Sequence, residues 1–348
     1  TLFSQTNRTT YQLLTGQTLG PTEQLGSNNV HDFLVEDLNG DLLPDVFSVR
    51  GDRRVYVEQI NDNLIRSNVS LFLPLDPVSF SFTSESDEIE LTIYPRSPSD
   101  SYVVAVGNTT NSTVTGEVTT FILNSANPDV VRTDPIEFPE LNPRFYIFYD
   151  PEVQKWELVS KSGTTSKRPY GLDISGTGLV LENNYPIGTN LGGQLFINQG
   201  DYNFDQLATS VFDELDNLLS VIAADFDNDM DLDLYAVRTN YAQNKQNDLW
   251  ENEGNNEWTR HDGAWGALGD GPGIGENVSS VDYNNDGFMD IFVTNGSSLF
   301  WLEDAKTNLY ENQGNDNNWI KIQLKGAQSD PMGLNAKVIV HAGAVSQM

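Results

Sequence analysis

The sequence has no cysteine, only three histidines, and no apolar run near the roughly 18 residues of a membrane-spanning helix. The first absence excludes disulfide staples, thiolate metal sites and cysteine nucleophiles. The second leaves His31, His261 and His341 isolated from one another in sequence, a pattern that suits surface or structural histidines better than a catalytic or zinc site. Positive charge is also scarce: 19 Lys and Arg stand against 50 Asp and Glu, a formal charge of −31. A chain this acidic repels phosphate backbones and anionic lipid surfaces, so no nucleic-acid partner is expected, and the lack of an apolar run leaves no membrane span expected. The first residues, Thr1-Leu2-Phe3-Ser4, lack the basic and apolar blocks of a signal peptide, as in a chain whose leader has been removed.

What the sequence does have is an internal repeat. The segments Asp37-Leu-Asn39-Gly-Asp41-Leu-Leu43-Pro-Asp45, Asp225-Phe-Asp227-Asn-Asp229-Met-Asp231-Leu-Asp233 and Asp282-Tyr-Asn284-Asn-Asp286-Gly-Phe288-Met-Asp290 put oxygen-bearing side chains at loop positions 1, 3, 5 and 9. Each lies between short β-prone runs, such as Val221–Ala224 and Leu234–Val237, which reads as strand, acidic loop, strand. A fourth segment, Asp173-Ile-Ser175-Gly-Thr177-Gly178-Leu-Val-Leu181, keeps the register but loses the last acid and is expected to be a metal-free turn. A third element recurs downstream: Gln194–Gly200, Asp248–Gly254 and Asn308–Gly314 each end in Asn-x-Gly, the mark of a turn closing another strand. Loops spaced by 52 and 57 residues, and turn asparagines spaced by 54 and 60, agree on one unit. That length suits a four-stranded blade, whose small sheet must stack on neighbours to bury a core.

The acidic loops have the chemistry of a hard-cation site. Ca²⁺ takes about six to eight oxygens, and alternating acids in a turning loop aim every second side chain at one point. The expected ligand sets are Asp37, Asn39, Asp41 and Asp45 with the carbonyl of Leu43; Asp225, Asp227, Asp229 and Asp233 with that of Asp231; and Asp282, Asn284, Asp286 and Asp290 with that of Phe288. About three calcium ions are therefore anticipated; magnesium, which demands octahedral geometry and keeps its waters, fits less well. Without a cation the converging carboxylates would repel one another. An EF-hand is rejected, because Ser48, Ala236 and Val293 stand where it needs Glu and the flanks are strands. Asp and Asn also crowd ordinary turns, but three loops sharing one register are more than turn chemistry asks for. If loop position 6 requires positive φ, Gly287 suits it, whereas Leu42 and Met230 are strained.

These loops resemble the calcium loops of FG-GAP repeats, known from integrin α-chain propellers and other secreted or surface proteins. The chain is most similar to the cartilage acidic protein and ASPIC/UnbV group, through the loops together with Gly271-Pro-Gly273-Ile-Gly275-Glu-Asn277, Asn318–Gly326 and Gly333–Val338. Asn335 departs from that group, standing where a glycine is usual, and the terminal match ends at Met348 short of a whole domain, as in a fragment or a chain completed by another subunit. The resemblance implies an all-β fold of propeller-type blades and an extracellular, calcium-dependent adhesion or structural role, with protein partners or self-assembly and no reaction. The expected layout is N-terminal blade or blades over residues 1–76, an inserted β-sandwich-like region or two divergent blades over 77–165, blades over 166–316 and a partial C-terminal segment over 317–348. Phe204–Leu219 is the best short helix candidate.

Other signals carry less. Arg50-Gly51-Asp52 spells an adhesion tripeptide where a turn is expected, and an ordinary Gly-Asp hairpin turn is the favoured explanation. N-glycosylation sequons occur at Asn7, Asn68, Asn108, Asn111, Asn277 and Asn295; Asn108 and Asn111 fall in the polar run 107–116, while Asn277 leads into a strand and is a poorer acceptor. Trp250 and Trp301 sit at strand positions that suit a core better than sugar stacking. A carbohydrate-binding lectin is the alternative function, and a polysaccharide-active enzyme a more distant one.

Overall fold

The structure is a computed structural model that describes residues 3–7, 10–13, 30–50, 55–69, 78–95, 97–98, 101–107, 110–132, 145–160, 170–182, 192–201, 203–208, 210–212, 218–239, 245–297, 305–326, 333, 336–343 and 345–347. Among these the fold is all-β, with two single-turn 3-10 helices at Ser210–Phe212 and Ala264–Gly266, and no helix long and apolar enough to cross a membrane. Alternation makes the strands. In Glu88–Pro95, Ile89, Leu91 and Ile93 are buried while Glu88 and Glu90 face solvent, the period-2 signature of a strand with one wet face.

In chain order the strands are β1 (Phe3–Asn7) and β2 (Thr10–Leu13), a hairpin; β3 (Val30–Glu36) and β4 (Asp45–Arg50), joined by the first acidic loop; then β5 (Val55–Asn61), β6 (Leu64–Val69), β7 (Val78–Thr83), β8 (Glu88–Pro95), β9 (Ser101–Val106), β10 (Thr110–Thr115), β11 (Thr119–Asn124), β12 (Phe145–Asp150), β13 (Lys155–Ser160), β14 (Tyr170–Ser175) and β15 (Val180–Leu181). There follow β16 (Gln194–Asn198) and β17 (Phe204–Gln206); β18 (Leu218–Ala224), β19 (Asp233–Arg238), β20 (Asp248–Asn252) and β21 (Trp258–His261); β22 (Ile274–Val281), β23 (Asp290–Gly296) and β24 (Asn308–Tyr310); and a last hairpin, β25 (Val340–Ala342) with β26 (Val345–Gln347).

Three small antiparallel sheets carry the acidic loops. Sheet 1 has the order β17-β16-β4-β3, sheet 2 β18-β19-β20-β21 and sheet 3 β22-β23-β24. The recurrent element Gln194–Asn198 thus completes the sheet begun by the first loop, pairing Leu195 with Phe47 across a long excursion of the chain. Neighbouring sheets share cores. Phe47, Val49 and Leu195 of sheet 1 meet Val221, Leu234 and Trp250 of sheet 2, with Phe212 wedged between at 5.1 Å from Phe47 and 5.5 Å from Trp250. Ala224, Tyr235, Val237 and Leu249 of sheet 2 meet Val278, Ile291 and Val293 of sheet 3. Such stacking is how sheets of three or four strands bury enough apolar surface to be stable.

The excursion between β4 and β16 forms two further sheets, β10-β9-β12-β13-β7-β15 and β11-β8-β14-β6-β5, which enclose one core including Phe82, Trp156, Leu158, Ile65, Leu91 and Leu172. It runs from β5 to β15, wider than the expected 77–165, because Tyr56–Asn68 and Tyr170–Ser175 pair into the five-stranded sheet. Of the segment Asp173–Leu181, only residues 176–179 turn, between β14 and β15, and its first three residues belong to a strand. Asp173 lies mid-strand in β14, its carboxylate held by Arg66 at 2.9 Å and by the hydroxyl of Tyr94 at 3.3 Å, while Leu172 and Ile174 fill the core on the other face. No helix spans Phe204–Leu219 either. Its described residues make β17, a single 3-10 turn and the start of β18, because Leu207, Val211, Phe212 and Leu218 all serve the joint between sheets 1 and 2 from different directions.

Candidate functional site

The three acidic loops follow one backbone course, built from the same hydrogen bonds. The first-position carboxylate caps the turn: Asp37 accepts the amides of Asp41 (3.1 Å) and Leu42 (2.8 Å), Asp225 those of Asp229 and Met230 (both 3.1 Å), and Asp282 those of Asp286 (3.0 Å) and Gly287 (3.1 Å). The third position, Asn39, Asp227 or Asn284, accepts the fifth-position amide, and the fifth, Asp41, Asp229 or Asp286, accepts the amides of Leu43, Asp231 and Phe288. Position 6 has positive φ in every loop, at 67° for Leu42, 83° for Met230 and 94° for Gly287. Holding Leu42 and Met230 there costs about 1–2 kcal/mol each, so their loops are wound against local preference by the bonds just described.

In the second loop, one oxygen from each of Asp225, Asp227 and Asp229 lies within 4.8 Å of the others, close enough for one cation to touch all three. The first and third loops place an asparagine at the middle position, and its amide nitrogen donates to the neighbouring aspartate: Asn39 to Asp41 at 3.2 Å and Asn284 to Asp286 at 2.8 Å. Two carboxylates and an amide oxygen make a less charged set than three carboxylates, so the second loop has the strongest field for a divalent ion.

The ninth-position aspartates have a different environment. Asp45, Asp233 and Asp290 are buried, and each carboxylate bridges two segments. Asp45 accepts from Leu38 (3.0 Å) and Asn198 (2.8 Å), Asp233 from Phe226 and Asn252 (both 3.0 Å), and Asp290 from Tyr283 (3.1 Å) and Asn312 (2.8 Å). They clamp the loop's second residue to the turn asparagine of the third strand; a carboxylate's remaining lone pairs are still available to an ion. The turn asparagines were legible only as turn formers, yet their side chains also tie sheets together. Asn252 Nδ2 donates to Leu38 O in the loop of sheet 1 and Leu232 O in its own, and Asn312 Nδ2 donates to Phe226 O and Met289 O in the same way. Their recurrence at similar spacing was the available signal.

Burial is the main electrostatic cost in these loops, with neighbouring aspartates adding to it. Burial pushes the Asp233 carboxyl up to about 8, against the pull of the Asn252 and Phe226 amides, with Asp227 and Asp229 raising it further. Asp45 and Asp227 are pushed up to about 6, first by burial and then by neighbouring aspartates, and burial also raises Asp225 and Asp231. A divalent cation would reverse these costs by favouring the charged forms. An all-oxygen donor set, alternating carboxylates and a shared turn geometry fit calcium.

The other expected positions are placed as follows. Arg50 ends β4 and is buried, its Nε 3.5 Å from Gly192 O, and Gly51 and Asp52 lie outside the described residues. Asn108 is also outside them; Asn7, Asn68 and Asn111 lie within strands β1, β6 and β10. Asn295 lies in β23, half-buried, its Nδ2 donating to Lys306 O at 2.5 Å, which occupies the nitrogen a glycan would need. Sequence reasoning did not find that the C-terminal segment crosses the acidic loops: Lys321 Nζ donates to Asn285, Lys337 Nζ to Leu42 O and Gln347 Nε2 to Asp225 Oδ2. Comparison with models of protein families and with curated proteins gave no match.

Proposed function

We propose that this chain is an extracellular calcium-binding structural or adhesion module of the FG-GAP propeller type, resembling the ASPIC/UnbV group, in which sheets 1, 2 and 3 are consecutive blades interrupted by a β-sandwich. The observation that carries the reading is the convergence of Asp225, Asp227 and Asp229 within 4.8 Å, in a loop whose backbone course recurs in two others. Two of the turn asparagines support the blade arrangement, since Asn252 and Asn312 each link their own loop to that of the preceding sheet, so order in one loop is passed to the next. The asparagine-bearing loops are in keeping with an extracellular setting: a lower ligand charge weakens calcium binding, and weak sites suit a medium rich in the free ion. Three ions would offset only six of the 31 negative charges, and the remainder keeps the surface solvated and directs contacts toward cationic or calcium-bridged protein surfaces.

Scanning calorimetry of the chain in calcium and in chelator tests this. The melting temperature is expected to fall on chelation, because ligand held only by the native state adds stability by mass action. Identical melts in the two conditions would remove the calcium reading and the adhesion role built on it.

A further inference from the structure

Sheets 1 and 2 each close with a fourth strand that follows the Asn-x-Gly turn: β17 begins at Phe204, six residues after Asn198, and β21 at Trp258, six after Asn252. Sheet 3 stops at three strands, and the outer edge of β24 has no strand partner among the described residues. The same turn recurs at Asn312-Gln-Gly314, and seven residues after its asparagine begins Trp319-Ile-Lys-Ile-Gln-Leu324. This segment alternates as a strand does, yet forms none here. Trp319 is 47% exposed, Ile320 69%, Ile322 45% and Leu324 37%.

Beside the bare edge lies a cavity of about 690 Å³, lined among others by Leu309, Tyr310, Met289 and Ile291 of sheet 3 and by Leu249 and Trp265 on the side of sheet 2. The groove is open to solvent on one side, and the polar turn Asn312–Asn315 forms the rest of its wall beside those apolar side chains. The corresponding joint between sheets 1 and 2 is filled, and comparison shows by what. There the 3-10 turn Ser210–Phe212 inserts Phe212, and Trp258 of β21 meets it edge to face at 5.5 Å. An offset of 54 residues carries that turn onto Ala264–Gly266, so Gly266 stands where Phe212 did, and Trp258 corresponds to Trp319. Both aromatic fillers are thus missing from the second joint. Trp319 instead covers the third acidic loop, where a Cβ on Gly287 would fall 2.1 Å from its ring, and Lys321 Nζ reaches Asn285 Oδ1 at 2.9 Å.

We propose that this groove is a strand-acceptor site whose occupant is the chain's own Trp319–Leu324 segment, which leaves its seat over the third loop and pairs antiparallel with β24. The register of β20 with β21, in which Asn252 faces Trp258 and Leu249 faces His261, carries over directly. Trp319 then lies opposite Asn312 and enters the joint as Trp258 does. Lys321 takes the place of Arg260, which in sheet 2 bridges to Asp248 at 2.7 Å. Ile322 lies opposite Leu309, itself 47% exposed, and the two cover each other. The same chain supplies the strand because the turn is only one residue longer than in sheet 2, and closing so short a loop costs less than immobilising a second molecule. The segment therefore has two seats: on the third loop, leaving a β edge and groove open to an extended strand from a partner, or in the groove, leaving no free edge at β24.

The absence of native cysteine makes the test clean. Directly opposed strand residues have Cα separations within disulfide range, so the double variant Glu311→Cys/Ile320→Cys should oxidise to a monomer without free thiols. A disulfide-linked dimer would overturn the proposal by showing that the segment serves a second copy, and so would a folded monomer that keeps both thiols. Amide hydrogen exchange on the unsubstituted chain reads the same equilibrium: the amides of residues 320–324 are expected to exchange at least about 100-fold more slowly than an unstructured peptide. Exchange at the unprotected rate would refute it.

Discussion

Replacing Asp233 tests whether the ninth-position aspartates are clamps. Its carboxyl is buried and accepts the amides of Phe226 and Asn252, both at 3.0 Å. Alanine would strand two buried N–H groups at about 1–3 kcal/mol each. The measurement is best made in chelator at pH 6, because a carboxyl pushed up to about 8 is then mostly protonated and its removal relieves no buried charge. Under those conditions Asp233→Ala should lose about 4 kcal/mol, read from urea unfolding followed by the fluorescence of Trp250 and Trp258, which lie in the adjoining core. Asp233→Asn keeps one acceptor oxygen and should lose about 1–2 kcal/mol. An alanine variant within 1 kcal/mol of the parent would refute the clamp and leave this residue as a metal ligand alone.

Stability without cation should rise as pH falls from about 8 toward 4. Asp233, Asp45 and Asp227 hold protons in the folded state that the unfolded chain, at the ordinary value of 3.8, has released; calcium should flatten or invert that slope, and a cation-free optimum above pH 8 in denaturant titrations would contradict it. Asn252→Ala removes the donor to Leu38 O and Leu232 O and should cost about 2 kcal/mol while weakening cooperativity between sheets 1 and 2, visible as a broadened unfolding transition. Arg66→Met leaves the buried Asp173 carboxylate without its charge partner and should cost about 3–5 kcal/mol, with exchange-protection loss concentrated in β6, β8 and β14 rather than in the acidic loops.

Much of this was legible because the physics is local. Alternation announced the strands, and the placement of Asp37, Asp225 and Asp282 at the head of matching loops needed only spacing. Positive φ at position 6 followed from Gly287 once the three loops were superposed in register. What escaped the reading depends on partners distant in sequence. Asp173 looked like a decayed loop because nothing near it in the chain reveals Arg66, 107 residues away, across the sheet. Asp45 and Asp233 looked like ligands no different from Asp41 and Asp229, since oxygen chemistry is the same whether an ion or a backbone amide is opposite. Residues 204–219 offered the best short helix candidate, yet Leu207, Val211, Phe212 and Leu218 serve a joint between two sheets, which no single-helix pattern encodes.

Isothermal titration of the cation-free chain with calcium addresses the central claim most directly. Three ions per chain are predicted, with the tightest in the loop of Asp225, Asp227 and Asp229, and a melting temperature raised by about 4 °C for each site at a hundredfold excess over its dissociation constant, the equivalent of about 2.7 kcal/mol. Asp227→Ala should remove that one ion and leave two. No heat of binding at millimolar calcium, or a stoichiometry that the substitution leaves unchanged, would contradict the account.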